Sequence, residues 1–213
     1  MIKFLSIFLF IVTLNCFSSS CEVDSNRPIL FYKTISTIGD SITWQGDAQY
    51  LRCLMRDNGL QYEFVGTHTD PFYFQHEGEG GNTTLQVLER INQIPVTDAY
   101  FLLIGINDIL QNVPESVIVS NIITISNSLY QKNNNAKIYI STLLPVNYPQ
   151  NIKVQKVNLM LLSKSKICPT CTIIDIGSQM YHQSNWPSYF IEGIHPNKNG
   201  YEFLSKTIVP YIK

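Results

Sequence analysis

Hydrophobic and polar positions along this chain switch repeatedly between the two-residue period of strands and the three-to-four-residue period of helices. Residues 31–38 form a run rich in β-branched and aromatic side chains that breaks at Gly39-Asp40-Ser41. That pattern predicts a buried strand with Ser41 at its C-terminal tip. Residues 48–57 place Leu51, Leu54 and Met55 on one helical face, and Asn58-Gly59 supplies the stop. Residues 62–65 alternate as a short second strand ending at Gly66. Residues 67–83, rich in Gly, His and aromatics, read as a long loop, and a loop of that length inside a compact domain is usually functional or disordered.

Residues 84–93 predict a helix with Leu85, Leu88 and Ile91 inward. Residues 99–104 are continuously apolar, the sign of a strand buried on both faces. That run breaks at Gly105 into Ile106-Asn107-Asp108. Pro114 suits the first turn of a helix reaching about residue 132, and Asn133-Asn134-Asn135 is the turn after it. A strand over 137–141, a helix over 151–166 and a short strand over 172–174 follow. Residues 176–194 read as a second long loop, and 197–211 as a final helix with Phe203, Leu204 and Ile208 inward. Strands alternating with helices in this way imply a parallel sheet covered on both faces by crossover helices. No repeat, linker or shift in composition interrupts the pattern, so one domain is expected.

The first twenty residues stand apart. Lys3 precedes an almost unbroken apolar stretch over 4–14, and Ser18-Ser19-Ser20 offers small residues for cleavage. This is the layout of a signal peptide over 1–20, leaving a domain over 21–213. The apolar stretch is short for a membrane span. The expectation is a secreted or extracytoplasmic protein with no integral membrane span after cleavage. Export changes the reading of the cysteines. Cys21, Cys53, Cys168 and Cys171 remain, an even number that permits two disulfides in an oxidising compartment. Cys168 and Cys171 could close locally; the pairing stays open. That pair lacks the helix-start position of a redox site, and a zinc site lacks a second ligand pair at suitable spacing. The chain of 213 residues is long enough to bury a sizeable core, with 45% hydrophobic and 15% charged residues. Its formal net charge of −1 gives no electrostatic ground for a nucleic-acid partner or an anionic membrane.

Ligand sites of open α/β sheets lie beyond the carboxyl ends of the strands. Four breaks fall where such a sheet would bring them together: Ser41, Gly80-Gly81-Asn82, Gly105-Ile106-Asn107-Asp108 and Glu192-Gly193-Ile194-His195-Pro196. Acyl transfer needs a nucleophile, a base, a group orienting that base and donors for the oxyanion. The four breaks contain one candidate of each kind. Serine after a strand is also ordinary turn chemistry, Gly81 could be a plain turn residue and Asn107 a helix cap.

Three blocks in series carry a resemblance. Gly39-Asp40-Ser41-Ile42-Thr43, Gly105-Ile106-Asn107-Asp108, and His195-Pro196-Asn197 followed by Gly200-Tyr201 resemble the blocks of the SGNH hydrolases of the GDSL esterase superfamily, in order and over essentially the whole mature chain. Pattern and resemblance together imply an α/β fold, a three-layer α/β/α sandwich around a central five-stranded parallel sheet of flavodoxin-like order. The resemblance implies Ser41 as nucleophile, His195 as base, and an oxyanion hole made of the Ser41 and Gly81 backbone N–H groups and the Asn107 side chain, with no cofactor and no metal. Glycine at 81 lets backbone approach a substrate closely, and Asn107 is a neutral donor that is cheaper to bury than a charged one. Asp40 and Asp108 are expected to order their loops. His68, His76 and His182 are expected at the surface or rim.

Two departures matter. The family pattern has Asp three residues before the histidine, where this chain has Glu192. Either Glu192 is the third catalytic member, or a backbone carbonyl orients His195 and a dyad operates; Asp175 is a remote substitute. The stretch from His76 to Asn82 resembles the His-Glu-Gly-x-Ser-Gly-Trp stretch of acetylxylan esterases of carbohydrate esterase family three, with Gly80 and Asn82 at the Ser and Trp positions. Asn82-Thr83-Thr84 is also a glycosylation sequon, although a glycan there would crowd the oxyanion donors. The expected activity is hydrolysis of short O-acyl esters, with a small ester or an acetylated polysaccharide as substrate. A lipase or lysophospholipase on the same fold, or a catalytically impaired carbohydrate-binding homologue, is the alternative.

Overall fold

The computed structural model describes residues 21–22, 26, 29–44 and 50–212. The signal-peptide expectation over 1–20 lies outside them. The first strand, β1 (Thr34–Gly39), is buried along nearly its whole length and stops where Asp40 turns the chain into the single turn α1 (Ser41–Trp44). Helix α2 (Tyr50–Asp57) buries Leu51, Cys53, Leu54 and Met55, and Gly59 ends it with a positive φ. Strand β5 (Ala99–Leu103) is fully buried and pairs in parallel with β1 on one side and β6 (Lys137–Ser141) on the other. The last strand, β7 (Cys171–Ile174), continues the parallel series from β6.

The expected count of five strands is corrected to seven. Two short strands, β2 (Glu63–Phe64) and β4 (Gln75–Gly78), lie along the same edge of β1, β2 against Thr34-Ile35 and β4 against Ile38-Gly39. Together they fill one parallel position, so the flavodoxin-like core of five positions is present. The short β3 (His68–Thr69) then adds an antiparallel edge to β4. The region read as a loop over 67–83 thus holds two strands. Their polar sequence hid them, because His76 and Glu77 of β4 are buried and their polar groups are satisfied inside the protein. His76 is accordingly a core residue, against the expectation of a surface position.

Helices cover both faces. On one, α2 packs on α8 (Lys198–Ile212), whose Tyr201, Leu204, Ile208 and Ile212 are buried, with α7 (Ile176–Tyr181) beside it. On the other, α5 (Glu115–Lys132) lies between α3 (Thr84–Glu89) and α6 (Asn151–Leu162). Helix α5 buries Ile118, Ile122, Ile125 and Leu129, the spacing of an amphipathic helix. Helix α3 is shorter than expected and turns Thr84 and Val87 inward, leaving Leu85 exposed; its start is set by a capping box between Thr83 and Gln86. The second long loop holds α7 and a 3-10 turn, Trp186–Tyr189. Among the described residues no helix is long and apolar enough to cross a membrane.

Candidate active site

Ser41 opens α1 directly beyond the C-terminal end of β1. The Asp40 carbonyl accepts from the Thr43 and Trp44 N–H groups, and Asp40 Oδ1 accepts from Ile42 N–H at 2.9 Å, so the turn presenting Ser41 is held by its own backbone and one buried acid. Asp40 is 1% exposed. Burial, reinforced by the nearby Asp108 charge, raises its pKa from 3.8 to about 7. From behind, Tyr201 donates its hydroxyl to the Ile42 carbonyl at 2.8 Å, and Arg52 donates through Nη1 to the Thr43 carbonyl at 2.6 Å. Arg52 is fully buried and pairs with Asp70 at 2.7 Å. Burial depresses its pKa, and the Asp70 charge works against that shift.

His195 follows the 3-10 turn and meets Ser41 across 154 positions of sequence. Ser41 Oγ lies 2.8 Å from His195 Nε2, and His195 Nδ1 contacts Glu192 Oε1. With Nδ1–H donated to that carboxylate, Nε2 is left as the acceptor for the serine proton. Asp175 does not reach this histidine; it caps α7 through Ser178 N–H and accepts from Thr142 Oγ1. The base loop is strapped to the segment after β6, because the Tyr148 hydroxyl donates to the Glu192 carbonyl at 2.6 Å and Asn147 N–H to the Gly193 carbonyl at 2.9 Å.

Gly81 and Asn107 face the same opening. Gly81 holds φ +79°, a conformation that favours glycine, and a Cβ built there would meet nothing within 4 Å. Bare backbone therefore lines the cleft at that point. Asn107 lies in α4 (Ile106–Leu110) and donates one Nδ2 hydrogen to the Asn82 carbonyl at 3.0 Å. A primary amide carries two such hydrogens, so the second is left for a ligand. Asp108 accepts from both N–H and Oγ1 of Thr84 and ties α4 to α3, an ordering role as expected. Glu77 and Arg90 hold the glycine turn: Arg90 donates to Glu77 Oε2 at 3.0 Å, to the Glu77 carbonyl at 2.7 Å and to Asn82 Oδ1 at 3.0 Å. The sequon residue Asn82 is thus buried and engaged in the fold.

Ser41, Gly81, Asn107 and His195 line one open cleft of about 710 Å³ together with Trp44, His68, Glu79, Gly80, Leu110 and Ile194. Trp44, Arg90 and Asp70 went unnoticed in the sequence, and Glu79 entered only as part of the stretch from His76 to Asn82. Their roles depend on contacts between distant segments, and only the presence of charged residues inside apolar helical patterns could have flagged the arginines. His182 caps the end of α7 and lines a separate pocket against α6. Among the described residues no group of three or more His, Cys, Asp or Glu is placed to hold a metal ion.

A doubly wound sheet whose strand ends gather a serine, a histidine, an asparagine and a bare glycine turn defines the SGNH class of hydrolases. The chain belongs to the GDSL-like lipase/acylhydrolase family, whose model matches residues 37–203, and it is a carboxylic ester hydrolase. No curated protein matches the chain. Among solved structures it is similar to a mutant acetyl esterase with an acetate ion, at 19% identity and a TM-score of 0.69 over 84% of this chain and 96% of the other. A carbohydrate esterase family 3 protein from Talaromyces cellulolyticus gives 20% identity and a TM-score of 0.69 over the same shares, 84% and 96%. A protein from Streptococcus pneumonia, described as a putative platelet activating factor, gives 24% identity and a TM-score of 0.68 over 85% of this chain and 84% of the other. At these identities the likeness is one of fold.

Proposed function

We propose that this chain is a secreted serine esterase that removes short O-acyl groups, chiefly acetyl, from a carbohydrate. The observation that carries the reading is the hydrogen-bonded line Ser41 Oγ, His195 Nε2, His195 Nδ1, Glu192 Oε1, with Gly81 and Asn107 lining the same cleft. Ser41 Oγ attacks the ester carbonyl carbon while His195 Nε2 takes its proton, and Glu192 stabilises the imidazolium. The tetrahedral oxyanion rests on the N–H groups of Ser41 and Gly81 and on Asn107 Nδ2–H. His195 then protonates the departing alcohol oxygen, leaving an acyl ester on Ser41. A water that gives its proton to His195 attacks that ester, His195 returns the proton to Ser41 Oγ as the acyl–Oγ bond breaks, and the acid leaves.

Short acyl groups are favoured by what lies beneath the site. The apolar hollow between Ile42, Ile104, Ile106, Leu143 and Ile194 amounts to about 10 Å³, roughly the room a single water needs. That hollow has no room for a long acyl chain. The two disulfides, Cys21–Cys53 and Cys168–Cys171, suit an oxidising compartment and support export.

The deciding experiment is acetate release from acetylated glycans, with Ser41→Ala as the control. Asn107→Ala is expected to lower kcat by about 100- to 1000-fold, the usual cost of one oxyanion donor. A variant that hydrolyses p-nitrophenyl acetate at the wild-type rate would remove Asn107 from the hole. Failure of Ser41 to label with a fluorophosphonate would favour a non-catalytic carbohydrate-binding protein.

A further inference from the structure

One wall of the cleft differs in kind from the oxyanion side. Glu79 stands next to the glycine turn, and its backbone N–H donates to the Gly39 carbonyl at 3.1 Å, which fixes it to the end of the strand that delivers Ser41. Its Oε1 takes a hydrogen bond from His68 Nε2 at 3.2 Å and lies 3.4 Å from Arg90 Nε. Those contacts set the side chain in one place, while Oε2 has no hydrogen-bond partner among the described residues. Beside it, the Trp44 ring rests on Gly80. A Cβ added at Gly80 would come within 2.7 Å of Cζ3 and 2.8 Å of Cε3, so only glycine lets the ring lie this close. Trp44 is still 39% exposed and lines the cleft with Ser41.

An anchored carboxylate oxygen and an exposed aromatic surface beside one nucleophile suit an alcohol that is apolar on its ring faces and hydroxylated at its edge. Pyranose rings have that character. Their C–H faces pack on aromatic rings, and their hydroxyls donate to carboxylates through charge-assisted hydrogen bonds. The same carboxylate repels an alcohol bearing phosphate or carboxylate, because removing an anion's water beside a like charge is costly. We propose that Glu79, seated by His68 and Arg90, and Trp44, seated on Gly80, form the subsite for the alcohol half of the ester, and that this subsite selects uncharged pyranosides and rejects anionic alcohols. The proposal rests on the ester-hydrolase reading above and adds to it which alcohols are accepted and by which side chains.

The test uses the full chain, Glu79→Gln and Trp44→Ala. It measures kcat/KM for methyl 2-O-acetyl-β-D-glucopyranoside, for the acetyl ester of glycerol 3-phosphate, and for p-nitrophenyl acetate as reference. In Glu79→Gln the ratio of glucoside to reference falls by roughly 10- to 100-fold, the worth of a hydrogen bond to a charged group, and the ratio of phosphate ester to reference rises. In Trp44→Ala the glucoside ratio falls through KM while the phosphate ratio does not rise. Ratios that stay within about twofold of the wild type in Glu79→Gln overturn the subsite, whatever the absolute rates. Ser41-dependent hydrolysis of the reference with no Glu79 dependence overturns the subsite alone. No Ser41-dependent hydrolysis of any of the three esters overturns the esterase reading, and the subsite with it.

Discussion

Glu192 is where this site departs most from its family's pattern, and the structure shows what compensates. The glutamate stem is one methylene longer than aspartate and its side chain is about half exposed, so more rotamer freedom must be lost to hold the carboxylate on His195. The strap from Tyr148 to the Glu192 carbonyl fixes the backbone of that residue and leaves only the side chain to order. Glu192→Gln is therefore expected to lower kcat by about 100-fold or more, because an amide can stabilise the wrong imidazole tautomer and cannot balance the imidazolium. Glu192→Asp should retain more activity than Glu192→Gln. Wild-type turnover in Glu192→Gln, measured with p-nitrophenyl acetate, would leave a Ser41–His195 dyad as the working arrangement. Ser41, Gly81, Asn107, Glu192 and His195 were singled out in the sequence because their blocks resemble those of the SGNH hydrolases, and the fold gathers Ser41, Gly81, Asn107 and His195 in one cleft with Glu192 on His195. Trp44 and Glu79, which line the same cleft, were not. Trp44 looks like an ordinary apolar residue after a turn, and Glu79 acquires its position from a backbone hydrogen bond to Gly39 forty residues earlier.

Strand β4 shows how an element can be present without a sequence signal. Its burial comes from His76 and Glu77, residues that ordinarily mark a loop, and it is held by pairing with β1, by Arg90 and by Thr67 rather than by apolar side chains. The core strands β1, β5 and β6 were read near their true limits because they are buried through hydrophobic side chains, which pattern does report. The polar burial at β4 has a consequence for pH. Burial first, with the charges of Arg52 and Arg90 adding, lowers the His76 pKa from 6.5 to about 2, so His76 stays neutral in the folded protein. The unfolded chain takes up that proton below about pH 6.5, and the His76 contribution to stability is lost as pH falls through that value toward 2. Asp40, at the end of the neighbouring β1, acts in the opposite sense. Its carboxyl keeps a proton up to about pH 7 when folded and only to 3.8 when unfolded, so its contribution falls as pH rises between those values. Over roughly pH 4 to 6.5 the two slopes oppose each other. The thermal midpoint of the wild type should therefore change little across this window from these two groups. Asp40→Asn, which keeps an acceptor for Ile42 N–H, should lose stability on acidification from pH 6.5 to 4 and should gain relative to the wild type as pH rises from about 4 to 7. Parallel profiles for wild type and Asp40→Asn would show that Asp40 is ionised in the fold well below neutral pH.

At the scale of the whole molecule, the four disulfide-bonded cysteines divide into one long closure and one short one, an assignment the sequence left open because spacing alone allowed more than one pairing. Cys21–Cys53 spans 32 positions and joins the segment before β1 to the buried face of α2, whereas Cys168–Cys171 spans 3 and closes a turn before β7. If disulfides act mainly by restricting the unfolded chain, the longer closure is worth about 3–4 kcal/mol and the shorter about 2 kcal/mol. For a chain of this size, the first corresponds to a fall in Tm of roughly 10 °C. The location matters as well as the length. Helix α2 packs on α8 and carries Arg52, whose guanidinium holds the Thr43 carbonyl behind the serine turn, while α8 carries Tyr201, which holds Ile42. Loosening α2 therefore acts on the supports of Ser41, and loosening the turn before β7 acts on the far edge of the sheet. Calorimetry and aryl-acetate turnover on two double variants separate these contributions. Cys21→Ser with Cys53→Ser should lower Tm the more, and activity should disappear at a lower temperature than in the wild type. Cys168→Ser with Cys171→Ser should lower Tm by roughly half as much and leave the temperature profile of turnover close to its usual shape. Equal losses in the two variants would mean that loop length does not govern the effect, and that the turn before β7 contributes native-state contacts of its own.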